Sequence, residues 1–223
     1  MNQAGEADFL PAAGFHFLTP IYEIASKPVL GPVWRRVSED LAQKAGPGAS
    51  IVDLGCGPGT VLDLLRQTRG DLHLTGVDID PRILAIARRR LPQTTFLQAS
   101  LSELPIDDQS FDVAFSSMVF HHLPKHLKPR ALSEARRILK PGGLLLLCDF
   151  SVPVSRTGRW LARFVGLLEK EAVSQTQGEL LELAAAQSLT LQPYWTHWGC
   201  ITQYEVGLAK KPASPVSNAI PIE

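Results

Sequence analysis

The sequence predicts a doubly wound α/β fold whose parallel sheet ends in an antiparallel hairpin. Three observations predict it. Between residues 50 and 150, short apolar runs rich in β-branched residues alternate with helix-spaced segments, the pattern of right-handed βαβ units. The strand segments carry apolar runs rather than strict alternation, as in strands covered on both faces. The first of them runs into "GCGPGT", a glycine turn that opens a helix.

The elements follow in order. "SIVDL" (50–54) is a strand ending at glycines, and "TVLDLLRQTR" (60–69) has helical spacing. "LHLTGVDI" (72–79) is a second strand. "PRILAIARRRL" (81–91) is a helix with Pro81 in its first turn, where the missing N–H costs nothing. "TTFLQA" (94–99) and "FDVAFSSM" (111–118) are strands three and four. "KPRALSEARRILK" (128–140) is a helix closed by "PGG", and "LLLLCDF" (144–150) is the fifth strand. Beyond residue 150, "SRTGRWLARFVGLLEKEA" (155–172) and "TQGELLELAAAQ" (176–187) read as two helices. "LTLQPYWTHWG" (189–199) and "CITQYEVGLAKK" (200–211) then read as a hairpin at the sheet edge, bringing the strands to seven. The organisation expected is an N-terminal helical cover (1–45), a main domain (46–211) with a helical lid at about 151–188, and a flexible tail (212–223). Residues 1–15 read as loose.

Composition narrows the function classes. Of 223 residues, 45% are hydrophobic and 20% charged, and 22 basic side chains balance 22 acidic ones. A neutral chain without a basic tract argues against nucleic acid as a partner. Cys56, Cys148 and Cys200 are scattered and form no CxxC pair, which suits reduced thiols and a cytoplasmic location. The N-terminal stretch lacks the basic start and apolar run of a signal peptide. No run of about 18 apolar residues is long enough to span a membrane.

The glycine turn carries the chemistry. Glycines admit positive φ and close approach of backbone to ligand, and helix N-terminal amides favour a negative group. A dinucleotide fingerprint, G-x-G-x-x-G, would want glycine where this chain has Thr60. The pattern here is D-x-G-x-G-x-G, with Asp53 two residues before Gly55, followed by Gly57 and Gly59. An acid there suits a cationic ligand group such as an amino acid ammonium, and would be unwelcome beside a pyrophosphate. Asp78, ending the second strand 21 residues after Gly57, stands where an acid accepts from ribose hydroxyls. It also reads as a helix cap or turn residue before Pro81.

"VDLGCGPG", "GVDID", "LSELPIDDQSFDVAFSS", "HHL" and "RILKPGGLLLL", in that order, resemble the class I S-adenosylmethionine-dependent methyltransferases. The nearest likeness is to the ubiquinone/menaquinone-biosynthesis type (methyltransferase type 11). The resemblance covers residues 20–150 well and 190–210 more loosely. It implies a Rossmann-like fold, S-adenosyl-L-methionine as cofactor and in-line methyl transfer to a small, apolar or aromatic acceptor. It also implies that Asp53, Gly55, Cys56, Gly57 and Gly59 line the methionine and ribose portion. Asp78 would take the ribose hydroxyls, Ile79 would lie against the adenine, and Ser116 and Ser117 would sit near the methionine end. Tyr22, in "TPIYEIA", is similar to an N-terminal Tyr that closes over that end, and it reads equally as core. Where the family often has Asp-Ala against the adenine amino group, this chain has Ser100-Leu101; a serine hydroxyl or backbone contact would substitute.

A sulfonium methyl is already activated, so alignment and water exclusion are the main demands. A base is needed only for an acceptor that holds its proton late. His121, just beyond the fourth strand, is the best-placed candidate; ahead of that stands the reading that His121 and His122 cap or pack the next helix. His121 and His122 lie near His126, but no Cys or Glu completes a metal set, so no metal is expected. "RTGRWLARFVGLLEK" reads as an ordinary lid helix or as a contact with a membrane or prenylated substrate. Trp195, His197 and Trp198 line an acceptor pocket or pack beneath the lid. The alternatives are a noncatalytic S-adenosylmethionine-binding protein and an NAD-dependent oxidoreductase. Monomer and homodimer both stay open.

Overall fold

The expected alternation folds into one sheet. The computed structural model describes residues 19–168 and 172–208. Five strands run parallel: β1 (Ser50–Leu54), β2 (His73–Asp78), β3 (Thr95–Gln98), β4 (Phe111–Ser117) and β5 (Leu139–Phe150). Strands β6 (Leu189–His197) and β7 (Ile201–Leu208) are antiparallel, and β7 pairs with β5. The order is β3-β2-β1-β4-β5-β7-β6. The chain winds outward from β1 to β3 and then returns beside β1 as β4. The carboxyl ends of β1 and β4 therefore flank the crevice where ligands of such sheets bind.

Helices cover both faces: α1 (Thr19–Lys44), α2 (Thr60–Thr68), α3 (Pro81–Arg90), α4 (Lys128–Arg137), α5 (Arg156–Leu168), α6 (Ala172–Thr176) and α7 (Glu179–Ala186). Apolar strands alternate their side chains between two cores. Ile51 joins Val33, Val37 and Leu41 of α1 and Leu62 and Leu65 of α2. Val52 and Leu54 join Leu132 and Ala135 of α4 and Leu180 and Ala184 of α7. Each fully buried leucine contributes about 1.5–3 kcal/mol.

Two element boundaries differ from expectation. The fourth helix stops at Arg137, and the chain enters β5 at Leu139, because the N–H groups of Ser110 and Phe111 bond the Ile138 carbonyl. "KPGG" is therefore a kink inside β5; Phe111 pairs with Leu139 and Val113 with Leu144, and Gly142 has φ +80°. The segment read as two lid helices holds three, since Gly178 at φ +98° ends α6 and starts α7.

Polar ties dock the outer helices. Asp40 of α1 is buried; its Oδ2 accepts from Trp195 Nε1 (2.5 Å) and Gln203 Nε2 (3.1 Å), joining α1 to the edge hairpin. Lys44 pairs with Glu205 at 2.8 Å. Lys128, starting α4, forms a buried ion pair with Glu179, starting α7. The Ser155 hydroxyl accepts from Gly158 N–H (2.9 Å) and closes the first turn of α5. Gly158 is pressed so tightly on the β6–β7 turn that an added Cβ would lie 2.3 Å from the Gly199 carbonyl oxygen. The expected loose start (1–15) and tail (212–223) lie outside the described residues.

Candidate functional site

The β1–α2 turn is built by its glycines. Gly55, Gly57 and Gly59 have φ of +83°, +51° and +78°, a region that side-chain-bearing residues enter only at a cost. Gly55 and Cys56 both donate to the Val77 carbonyl (2.8 and 2.9 Å), drawing the turn over the end of β2. A Cβ on Gly55 would lie 2.5 Å from a Val119 methyl, so Val119 fills that place. Above Gly57 the space is open: a Cβ there would meet nothing within 4 Å. Arg90 bonds the Pro58 carbonyl (3.1 Å) and the Thr60 hydroxyl (2.8 Å), so the residue that replaces a dinucleotide glycine ties α3 to the loop.

Two carboxylates border this turn. Asp53 is only 3% exposed, and among the described residues no group donates a hydrogen bond to it. Burial, with the Asp78 charge added, pushes its carboxyl well above the usual range. A buried carboxyl without a partner is a costly arrangement. It fits a ligand that brings a cation.

Asp78 is half-buried. Its two oxygens accept from Gly57 N–H (2.9 Å) and Asp80 N–H (3.0 Å), which leaves acceptor capacity on both. Burial raises its carboxyl despite these bonds. The cap of α3 is Asp80, which accepts from Arg82 N–H (2.8 Å), so Asp78 is not the helix cap.

The remaining predicted positions fall around this centre. Cys56 is buried and burial pushes its thiol well up, so it stays protonated. Ile79 follows Asp78, its carbonyl accepting from Gln98 (3.3 Å). Ser100 accepts from Ser102 N–H (3.3 Å) and shares a hydroxyl contact with it (2.9 Å); Leu101 beside it is buried. Glu134 accepts from Leu104 N–H (2.8 Å), and Arg137 bonds the Leu104 and Ile106 carbonyls, which fixes the loop after β3. The Ser116 hydroxyl is committed to the Leu54 carbonyl (2.8 Å), bracing β4 to β1, and Ser117 ends β4 opposite Cys148. Tyr22 lies in α1, but its side chain is outside the described residues.

His121 sits in a single 3-10 turn (Phe120–His122) beyond β4, 2% exposed, with its ring edge-on to Phe150. Its Nδ1 is 2.7 Å from Asp149 Oδ1, and its backbone N–H donates to Asp149 Oδ2 (3.1 Å). Burial would raise the Asp149 carboxyl, but His121 and the Phe150 N–H outweigh burial and hold it below the ordinary range. An ionised carboxylate accepts, so Nδ1 carries the proton and Nε2 the lone pair in the neutral ring. Sequence reasoning missed Asp149. The signal for it was an acid ending an apolar strand at the same sheet edge as Asp53 and Asp78. Asp40 had no comparable signal, because the hydrogen-bond partners that tie it to the hairpin are 155 and 163 residues away. His126 is exposed while His121 is buried, and among the described residues no three His, Cys, Asp or Glu side chains cluster to hold a metal ion.

A glycine turn at the switch point, an acid with no described donor beneath it and a second acid at the end of β2 make a site suited to a nucleoside carrying a cation. Residues 51–143 match the family described as "Methyltransferase domain". The chain is 31% identical over 147 residues to an uncharacterised methyltransferase of Synechocystis, covering 62% of this chain and 66% of that protein. It is 35% identical over 124 residues to a demethylmenaquinone methyltransferase of Thermus thermophilus, covering 54% and 55%. The chain thus spans between about half and two thirds of these relatives' lengths. A solved S-adenosylmethionine-dependent methyltransferase of Thermotoga maritima shares the fold, with TM-score 0.61, 22% identity, and coverage of 86% of this chain and 98% of that one. Residues 51–143 thus carry a methyltransferase domain, and an S-adenosylmethionine-dependent methyltransferase shares the fold.

Proposed function

We propose that the protein transfers a methyl group from S-adenosylmethionine to a small, apolar or aromatic acceptor. The observation that carries this reading is Asp53, a buried carboxyl with no described protein donor beside a glycine turn open at Gly57. Asp53 would take the ammonium of the methionine moiety, and Asp78 the ribose hydroxyls. Gly57 gives backbone contact without a side chain in the way. The cofactor, once bound, supplies an activated sulfonium methyl. The chain's own work is to hold the donor, orient the acceptor and keep water out. In the acceptor half, Asp149 locks His121 and the 3-10 turn against the end of β5. The burial of that pair supports a positioning role for His121, framing the acceptor side, over direct proton abstraction. The quinone-ring substrate named for the Thermus relative supports an aromatic acceptor. Three buried free cysteines support a reducing compartment.

Isothermal titration with S-adenosylmethionine, S-adenosylhomocysteine and NAD tests the donor half, and binding of NAD alone would overturn the reading. A methyl-donor assay across quinone precursors, phenols, amines and thiols tests the acceptor half. Tight cofactor binding without turnover on any of these would favour a noncatalytic binding protein.

A further inference from the structure

Among its described side chains, α5 packs on the domain by one side. Leu161 joins the core, Ala162 is buried, and Gly158 touches the β6–β7 turn. The opposite side exposes large apolar groups: Trp160 is 70% exposed, Phe164 49% and Leu167 80%. The Trp160 and Phe164 rings stack at 6.0 Å. Six of the nine exposed large apolar side chains among the described residues fall between Val152 and Val173. They form a local concentration, unlike the single scattered residues of an ordinary surface.

Charge on the same side is of one sign. The helix carries Arg156, Arg159 and Arg163, all exposed, and no acidic residue. At about 100° per residue, the three arginines occupy an arc of about 60°, and Leu167, Trp160 and Phe164 fill the next arc of about 60°. An apolar strip with a basic margin is what an interfacial helix presents to a lipid surface: aromatic and aliphatic groups enter the acyl boundary while guanidinium groups meet anionic headgroups. The chain has zero formal net charge, so the attraction at α5 comes from its own arginines and not from overall charge.

We propose that α5 docks the protein on anionic bilayers, with Trp160, Phe164 and Leu167 inserted and Arg156, Arg159 and Arg163 at the headgroups. Lipid binding and methyl transfer are separable properties, so one can fail without the other.

The test is co-sedimentation of the full chain with phosphatidylcholine vesicles and with vesicles containing phosphatidylglycerol, at low and high salt. Binding is expected with the anionic vesicles, weakened by salt, together with a blue shift of tryptophan emission that Trp160→Phe abolishes. Each basic side chain at such a surface is worth roughly fivefold, so Arg159→Gln/Arg163→Gln should weaken binding about 25-fold. Trp160→Ser/Leu167→Ser should weaken it on neutral and anionic vesicles alike. All four side chains are exposed, so both variants should melt like the parent. No binding to anionic vesicles, or binding unchanged in both variants, overturns the proposal. So does a concentration-dependent dimer that Trp160→Ser/Leu167→Ser dissolves in a protein that ignores vesicles, which would assign the face to a second copy. Should either variant fail to fold, the emission of the unmodified chain still decides: a blue shift with anionic vesicles supports insertion, and an unchanged spectrum refutes it.

Discussion

Replacing Asp53 by Asn should move cofactor affinity and unliganded stability in opposite directions. The carboxyl is 3% exposed, has no donor among the described residues, and lies close enough to Asp78 to feel its charge. Folding raises its pKa, and each unit of that rise costs about 1.4 kcal/mol once the group is ionised. An acid with a raised folded pKa destabilises as pH climbs: the unliganded fold is most favoured below the unfolded pKa and loses stability as pH rises through the folded one. Asn removes that cost. The unliganded Tm at neutral pH should hold or rise, by about 2–4 °C per kcal/mol in a chain of this size. Binding goes the other way. A hydrogen bond from an ammonium to a buried carboxylate is worth about 1.5–3 kcal/mol, so the Kd for S-adenosylmethionine should rise about 10- to 150-fold. Because the ammonium selects the ionised carboxyl, binding to the parent should release a proton below the raised pKa. Titrations in buffers of different ionisation enthalpy would detect it, and the Asn variant should not show it. An Asn variant that binds like the parent, or that melts clearly lower without ligand, refutes the reasoning.

The glycines should separate by mechanism. Gly57→Ala, at φ +51° with open space above, should cost about 1 kcal/mol of stability but cut cofactor affinity at least tenfold; Gly55→Ala, colliding with Val119 at 2.5 Å, should lower Tm by several degrees and be partly rescued by Val119→Ala. Glu179→Ala should cost about 3–5 kcal/mol in denaturant unfolding by stranding Lys128, whereas Lys128→Met/Glu179→Leu should be near neutral. Asp149 is held below its ordinary pKa, so its stabilisation is present above the unfolded value and lost as pH falls through the folded one; Asp149→Asn should flatten the acid limb of a Tm–pH profile. If His121 positions rather than abstracts, His121→Asn should raise KM more than it lowers kcat and leave the pH profile of kcat in place; loss of an ionisation from that profile would make it the base instead.

The candidate donor site was easy to place in the chain because its signals are local. Asp53, the glycines, Thr60 and Asp78 lie within one strand–turn–helix–strand unit, and each has a backbone reason to be where it is. The docking of the outer helices is assembled from distant chain segments. Asp40 meets Trp195 and Gln203, and Lys128 meets Glu179, across separations of 51 to 163 residues that no spacing rule reaches. Boundaries shifted where tertiary hydrogen bonds overrode local preference. "PGG" looks like a helix stop, but pairing with Phe111 starts the strand two residues earlier than the proline. Gly178 looks like a tolerable glycine in a helix, and in the fold it separates two of them. Ser116 illustrates a third limit. Its place at the end of β4 is evident from the chain, but only the folded sheet reveals that its hydroxyl is spent on Leu54.

The close approach of Gly158 to Gly199 makes α5 a lever riveted at one end. Neither residue has a side chain that could slide, and an inserted methyl has no room. A swing of the helix away from the domain must pivot at that rivet or drag the hairpin turn along. The widest excursion then falls at the far end, where Leu167 lies about 13.5 Å along the axis from Gly158 at 1.5 Å per residue. A helix pinned this way would move most at its far end, where Leu167 is its most exposed apolar group among the described side chains. Bulk added at this contact, as in Gly158→Ala, should push α5 off the hairpin turn and lower Tm.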